Sequence, residues 1–187
     1  LVVAAGSSKG ASPAGFEYGV AAGEVTSASA VLWTHAPHAG KLAVRVSTSS
    51  SMKLGVLYSA EARSANDLTV TRKVFVKPGT QYWFRFEQGA AKSVVGTFST
   101  APRARAAADV RFAISGDADA TAGSNGKPAF NSYGVYARMA SEQNAFNINL
   151  GDTIYSDSEV PGAQVARTLA EKWEKYKTNI ANSQLQA

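Results

Sequence analysis

Cysteine is absent from this chain of 187 residues, histidine occurs only twice, and no apolar run is long enough to cross a membrane. The lack of cysteine excludes disulfides and thiolate metal ligands. A membrane-spanning helix needs about 20 consecutive apolar residues, so no such span is predicted. Hydrophobic residues make up 45% of the chain, which is ordinary for a folded globular protein and allows a real core.

Dense clusters of positive charge are also lacking, although the net charge is +5. The richest stretch, residues 101–109, contains only Arg103 and Arg105 as basic residues. A nucleic-acid-binding surface would be denser and interleaved with aromatic residues, so no nucleic acid partner is expected. We interpret the stretch as a solvated linker, with weak attraction of anionic substrates as the alternative. His35 and His38 lie in a segment with turn-forming Pro and Gly, and we predict that neither binds a metal.

The first half of the chain has the pattern of a β-sandwich. Residues 1–14 are rich in Gly, Ser and Ala and are predicted to be a leader or linker. Short apolar runs then recur at regular spacing through residues 15–102, with no helical period between them. Leu42, Val44 and Val46 alternate with polar or small residues, which predicts a strand with one buried face.

Two aromatic residues sharpen this prediction. Tyr82 in "VKPGTQYWF" stands at the start of a strand just after a Pro-Gly turn, the setting of a tyrosine corner. In a tyrosine corner the hydroxyl bonds to the upstream backbone. The alternative is that Tyr82 is simply a strand aromatic. Trp33, on an earlier strand, is expected to be the core aromatic of the sandwich.

The second half changes to an α/β pattern. "DVRFAIS" and "NAFNINL" read as short apolar strands, and a helix with Asn131 or Ser132 as its N-cap is predicted between them. A second, amphipathic helix is predicted from residues spaced by three and four positions: Val165, Leu169, Trp173, Tyr176 and Ile180. Alternating strands and helices predict a parallel sheet. Such a sheet needs more than two strands, so residues 103–187 are expected to form only the first part of a larger domain.

Carboxylates follow both predicted strands directly. "SGDADAT" carries Asp117 and Asp119, and "LGDTIYSD" carries Asp152, Tyr155 and Asp157. Ligands of an open parallel sheet gather outside the carboxyl ends of its strands, so these residues are expected to lie close together. A bound cation would relieve the repulsion among the carboxylates, because hard metals prefer oxygen ligands. The alternative is that each Asp is a turn residue or a helix N-cap.

Several segments, in this order, resemble PhoD-like alkaline phosphatases and phosphodiesterases. They are "FEYGVAAGEVTSASAVLWTHA", "VKPGTQYWFRF", "SVVGTFSTAP", "VRFAISGDAD" and "FNINLGDTIYSD". The resemblance implies a fibronectin type III-like β-sandwich over residues 15–102. It also implies that residues 103–187 begin a calcineurin-like metallophosphoesterase domain with αββα layers. The implied activity is hydrolysis of phosphate monoesters or diesters, phospholipase D-type activity included. Fe³⁺ and Ca²⁺ are the implied metals, and the implied location is periplasmic or extracellular, as in secreted bacterial proteins.

The same resemblance assigns roles to individual residues. Asp152 matches the bridging metal ligand at the catalytic centre, and Tyr155 matches a tyrosinate that binds ferric iron. A phenol has a pKa near 10, so only a highly charged ion would keep it ionised at neutral pH. Asp117 matches the first-strand ligand, where many members have Cys. Asp119 matches the two-residue offset used in related metallophosphoesterases, and Asp157 is either a partner of the ligands or a surface charge.

The family's other ligands, an Asp-Asp-His motif and later histidines, would lie beyond residue 187. The main hypothesis is therefore an N-terminal part of a PhoD-like phosphoesterase acting on a phosphate-ester substrate. A second hypothesis is a non-catalytic fibronectin-like binding module with an α/β appendage. In a third, a separate chain supplies the rest of the catalytic domain.

Overall fold

The computed structural model describes residues 2–3, 15–130 and 132–186. Its helices are α1 (Gly134–Ser141) and α2 (Leu169–Ile180), and a 3-10 turn spans Ser64–Asn66. The strands are β1 (Val2–Val3), β2 (Val20–Gly23), β3 (Ser29–His35), β4 (Gly40–Ser47), β5 (Val56–Ala62), β6 (Thr69–Phe75), β7 (Gln81–Gln88), β8 (Ala91–Lys92), β9 (Gly96–Ser99), β10 (Phe112–Ser115) and β11 (Phe146–Asn149).

The first half of the chain forms two sheets around one core, as the alternating pattern predicts. One sheet contains β2, β3 and β6, and the other has the order β5-β4-β7-β8, with β9 also paired to β7. Leu42, Val44 and Val46 are all buried, which confirms the predicted inner face of β4. Side chains from both sheets share the core, including Leu32 on β3 and Phe86 on β7.

The tyrosine corner is present, but Trp33 is not the core aromatic. The backbone N–H of Lys77 donates a hydrogen bond to the Tyr82 hydroxyl oxygen at 2.9 Å, which confirms the predicted bond to the upstream backbone. Trp33 is only partly buried, because the pleat of β3 turns Leu32 and Thr34 into the core and Trp33 to the other face. The buried aromatic residues are instead Phe16, Tyr82, Phe84, Phe86 and Phe98.

The second half has the predicted order β10, α1, β11, α2. Strands β10 and β11 pair in parallel, with Phe112 opposite Phe146 and Ile114 opposite Ile148. This confirms the parallel pairing expected from alternating strands and helices, but the other strands of the same sheet pair antiparallel, so the sheet is mixed. Phe112 and Ile114 remain about half exposed, at 47% and 54%, so the described part of the chain leaves this face of the sheet largely uncovered.

Strand β1 joins the two halves, a connection that the sequence did not reveal. It lies antiparallel to β11 on one side and to β2 on the other, with Val2 opposite Ile148 and Val3 opposite Gly23. Among the described residues the larger sheet therefore has the order β10-β11-β1-β2-β3-β6. Residues 2–3 fall in the predicted leader segment, and the rest of that segment lies outside the described residues.

Both helices begin later than predicted. The N-cap position of α1 is Tyr133, in a left-handed conformation without a side-chain cap; Ser132 is not the N-cap and Asn131 lies outside the described residues. Helix α2 begins at Leu169, because Thr168 and Glu171 form a reciprocal capping box that stops the helix from extending back to Val165. Within the described residues, no helix is both long enough and apolar enough to cross a membrane.

Candidate metal centre

The two Gly-Asp turns lie side by side at the carboxyl ends of β10 and β11. The backbone N–H of Ala118 donates to the carbonyl of Asp152 at 2.8 Å, and the N–H of Leu150 donates to the carbonyl of Ser115 at the same distance. These bonds continue the pairing of the parallel strands into the turns. The two carboxylate-bearing segments therefore meet at one edge of the sheet, as expected from the position of Asp117 and Asp152 after neighbouring strands.

Asp117 and Asp152 share an unusual backbone conformation. Their φ angles are +54° and +49°, in the left-handed region that residues other than Gly rarely adopt. Asp tolerates this region better than most residues, yet such conformations persist only where the surrounding structure imposes them, and they cluster at functional sites. The preceding Gly151 is also left-handed, with φ +117°. Each turn thus reverses the chain sharply and places its carboxylate outside the strand end.

Tyr155 completes a group of three oxygen-bearing side chains. Its hydroxyl donates to Oδ1 of Asp117 and lies 3.0 Å from Oδ2 of Asp152. The structure therefore brings together Asp117, Asp152 and Tyr155, three of the four residues for which metal binding was predicted. Their role as ligands stays a prediction.

The phenol proton of Tyr155 is held by hydrogen bonding to the two carboxylates. The hydrogen bond from the hydroxyl to Asp117 raises the pKa of Tyr155 well above its ordinary value, and burial and the bond to Asp152 act in the same direction. A phenol in this setting stays protonated at neutral pH unless a cation replaces the proton. Metal binding at this point would therefore release a proton from Tyr155.

The donor set fits a hard cation. Two carboxylates and one phenol offer only oxygen ligands, the type that Ca²⁺ and trivalent or divalent hard metals prefer. Among the described residues no group of three or more His, Cys, Asp or Glu side chains is placed to hold a metal ion. The three side chains described here would supply part of a coordination shell, and further ligands would have to come from elsewhere.

Asp119 lies apart from this group. Its side chain is buried, with 7% of the residue exposed, and its oxygens accept hydrogen bonds from the N–H of Thr121 at 2.9 Å and the hydroxyl of Ser158 at 2.6 Å. Burial opposes ionisation of Asp119, but the bonds from Ser158 and Thr121 outweigh it and lower the pKa of the carboxyl. An ionised Asp119 therefore ties the loop after β11 to the segment after β10. Its predicted metal ligation stays a prediction.

Two further residues of the loop after β11 have different surroundings. Asn149 accepts a hydrogen bond from the N–H of Gly151 at 2.8 Å, which stabilises the turn that carries Asp152. Asp157 is exposed. The alternatives for Asp157, a partner of the ligands or a surface charge, both stay predictions.

A cavity of about 250 Å³ opens beside Asp117. The first turn of α1 forms much of its wall, and the N–H groups at a helix N-terminus favour a bound anion. The lining residues are Gly116, Asp117, Ser132, Tyr133, Gly134, Val135 and Tyr136. The cavity is smaller than the pockets of roughly 300–1,000 Å³ that hold drug-sized ligands, and it is open to solvent.

Asn179 is the residue at this site that the sequence did not reveal. It lies on α2, has only 4% of its surface exposed, and bonds the backbone on both sides of the candidate centre. The spacing that predicts α2 involves only apolar residues, and of these Leu169 and Tyr176 are substantially exposed. In the sequence, Asn179 is a polar residue close to the charged residues Glu174, Lys175 and Lys177, a pattern that predicts a solvent-exposed helix face. Only packing of α2 against the two turns reveals its position.

The comparisons with known proteins agree with the first-half fold. The family model described as "PhoD-like phosphatase, N-terminal domain" matches residues 3–102, more than half of the chain. The chain therefore belongs to the PhoD-like phosphatase family. No curated protein matches it at a significant level.

One solved structure, described as "Structure of PhoD", superimposes with a TM-score of 0.81 at 22% sequence identity. The match covers 92% of this chain and 36% of that chain, so the chain spans about a third of the length of the solved protein. At this identity the similarity shows the fold alone. It extends beyond residue 102, since it covers nearly all of the chain.

Two weaker matches involve about half of the chain and carry no argument. A redesigned β-sandwich protein matches with a TM-score of 0.34 at 16% identity, over 45% of this chain and 92% of that chain. The sensor domain of the anti-sigma factor RsgI4 of Pseudobacteroides cellulosolvens matches with a TM-score of 0.32 at 19% identity, over 48% and 91%.

Proposed function

We propose that this chain forms the N-terminal part of a metal-dependent phosphoric ester hydrolase. In this proposal residues 15–102 are a fibronectin-like sandwich and residues 103–187 begin a metallophosphoesterase domain. Asp117, Asp152 and Tyr155 each bind the metal. The observation that carries the proposal is the meeting of these three side chains at the carboxyl ends of two parallel strands.

The ligand chemistry favours a highly charged metal at Tyr155. A phenol with a raised pKa gives up its proton at neutral pH only to a strong Lewis acid, so Fe³⁺ is the proposed ion there, with Ca²⁺ as the second metal. When bound, the metals would supply charge stabilisation for the phosphoryl group and lower the pKa of a bound water. The roles of this chain are to hold the ions with Asp117, Asp152 and Tyr155, and to line the adjacent cavity with α1.

Further ligands are expected from the part of the family fold that this chain does not include. The chain covers 36% of the solved PhoD chain, and Phe112 and Ile114 on β10 remain about half exposed. We therefore expect the remainder of the catalytic domain to cover this face and complete the metal shell. A non-catalytic binding module would give no reason for two strained Asp residues and a Tyr to share one point.

Hydrolysis of model substrates tests the proposal. The full-length protein should hydrolyse p-nitrophenyl phosphate, a monoester, or bis-p-nitrophenyl phosphate, a diester, and the ratio of the two rates would define its preference. Asp152→Ala should abolish the activity. Glu159→Ala is the matched control, because Glu159 is an exposed carboxylate of the same loop and should leave the rate unchanged. Full activity in Asp152→Ala would remove Asp152 from the site.

The colour of the protein tests the iron assignment separately. A tyrosinate bound to ferric iron gives a charge-transfer absorption in the visible range, which Tyr155→Phe should remove. Tyr176→Phe should keep it, since the Tyr176 hydroxyl lies near the site, at 3.3 Å from Thr153 Oγ1, without contacting the two carboxylates. An iron-replete protein without visible absorption would exclude ligation by Tyr155.

A further inference from the structure

We propose that Asn179 is a positioning residue that sets the separation between the two Gly-Asp turns of the metal centre. This inference rests on the proposed function. It concerns a side chain that touches no metal ligand's carboxylate and acts only through the backbone. Asn179 lies in the last turn of α2, and its carboxamide forms three hydrogen bonds to the segments that follow β10 and β11.

The three bonds are distributed over both turns. The side-chain NH₂ group donates to the carbonyl of Ala118 and to the carbonyl of Thr153, the latter at 2.5 Å. The side-chain oxygen accepts from the N–H of Ala120 at 2.9 Å. Ala118 directly follows Asp117, and Thr153 directly follows Asp152. One NH₂ group therefore bridges the equivalent positions of the two turns.

The chemistry of this position requires a carboxamide. Two carbonyls and one N–H must be satisfied, and a carboxamide offers two donors and an acceptor within one planar group. An ionised carboxylate of the same shape offers only acceptors and would face two carbonyl oxygens. Only 4% of the surface of Asn179 is exposed, so water has little access to replace hydrogen bonds that a substitution removes.

Helix α2 is stabilised locally at its start and held against the sandwich near its end. At its start, the capping box of Thr168 and Glu171 satisfies the first backbone N–H groups. Near its end, Lys177 lies 3.3 Å from the Asp67 carboxylate of the sandwich. The helix is thus anchored to the first half of the chain, and Asn179 forms hydrogen bonds with the two turns. Removal of the carboxamide should leave α2 in place and loosen the turns.

The effect should appear in metal affinity. Residues that orient ligands without binding the metal typically contribute about 10- to 100-fold to affinity or activity. We expect Asn179→Asp and Asn179→Ala to weaken ferric iron binding by about this factor. The probe is ferric citrate titrated into the metal-free full-length protein, and the readout is the visible charge-transfer band of Tyr155. The alanine variant introduces no buried charge and serves if the aspartate variant does not fold.

Asn144→Asp is the matched control. Asn144 is also a buried asparagine of the second half, and its NH₂ group donates to the carbonyl of Met139 and to Asn147 Oδ1, both at 3.2 Å. Neither contact involves a Gly-Asp turn. This control should lose stability without losing iron affinity. Equal loss of iron affinity in the variants of Asn179 and Asn144 would reduce Asn179 to a general structural role and overturn the inference.

Amide hydrogen exchange of the metal-free protein separates the inference from the proposed function. Asn179→Ala should speed exchange at the N–H of Ala120, which loses its acceptor, and at the N–H of Ala118, which bonds Asp152. If Asn179→Ala left amide exchange unchanged, or bound iron with wild-type affinity and a wild-type absorption band, the positioning role of Asn179 alone would be overturned. A wild-type protein that binds iron but never develops the band would overturn the ligation of iron by Tyr155 in the proposed function, whatever the result for Asn179.

Discussion

Glu87 on the outer face of the sandwich allows a stability prediction with a defined pH range. Its carboxylate accepts hydrogen bonds from Arg45 at 2.9 and 3.3 Å and from Arg85 at 2.8 Å. The side chain of Glu87 is only 19% exposed. The hydrogen bonds from Arg45 have the largest effect on the pKa of Glu87. Burial opposes them and the bond from Arg85 reinforces them, and the net result lowers the pKa to about 2 from an ordinary 4.5.

The magnitude follows from this pKa. A tenfold change in an equilibrium constant is about 1.4 kcal/mol, so a fall in pKa from 4.5 to about 2 corresponds to about 3.5 kcal/mol before screening by solvent. Partial exposure screens the interaction, and we expect Glu87→Gln to lower the free energy of unfolding by about 2 kcal/mol at pH 7. Because the pKa is lower in the folded protein, the contribution is complete above pH 4.5. It is lost as the pH falls from 4.5 towards 2.

Urea unfolding followed by circular dichroism at pH 7, 5, 4 and 3 measures the difference. The matched control is Glu61→Gln, whose partner Arg63 is 68% exposed while the Glu61 side chain is 52% exposed. Glu61→Gln should change the free energy of unfolding by less than about 0.5 kcal/mol at every pH, because exposed ion pairs contribute little. A loss for Glu87→Gln that does not shrink below pH 4.5, or that equals the loss for Glu61→Gln, would refute the reasoning.

Three further predictions concern local structure, each measured by urea unfolding. Tyr82→Phe removes the acceptor of the Lys77 N–H and should cost about 1 kcal/mol, and an unchanged midpoint would show that the corner bond adds nothing. Gly96→Ala would place a Cβ 2.6 Å from the Phe84 ring in the core, so it should cost about 1–3 kcal/mol; a neutral result would mean that the ring moves freely. Thr168→Ala removes the N-cap of α2 and should cost about 1 kcal/mol, with Thr168→Ser as the variant that retains most of it.

Features that depend on local pattern could be predicted from the amino-acid sequence. The buried face of β4 follows from the alternation of Leu42, Val44 and Val46, because side chains of a strand point to opposite faces in turn. The tyrosine corner follows from the short segment around Tyr82. The meeting of Asp117 and Asp152 follows from two Gly-Asp pairs after parallel strands, since the carboxyl ends of such strands share an edge.

Features that depend on how distant elements pack were decided only by the tertiary structure. The pleat of β3 sends Trp33 away from the core, although Trp33 and Leu32 are both apolar, because only the register between strands determines which face is buried. The bonds from Asn179 to Ala118 and Ala120 join residues 61 and 59 positions apart. No periodic pattern encodes a contact at that separation. It exists because α2 is held where its one buried carboxamide meets the backbone of both turns.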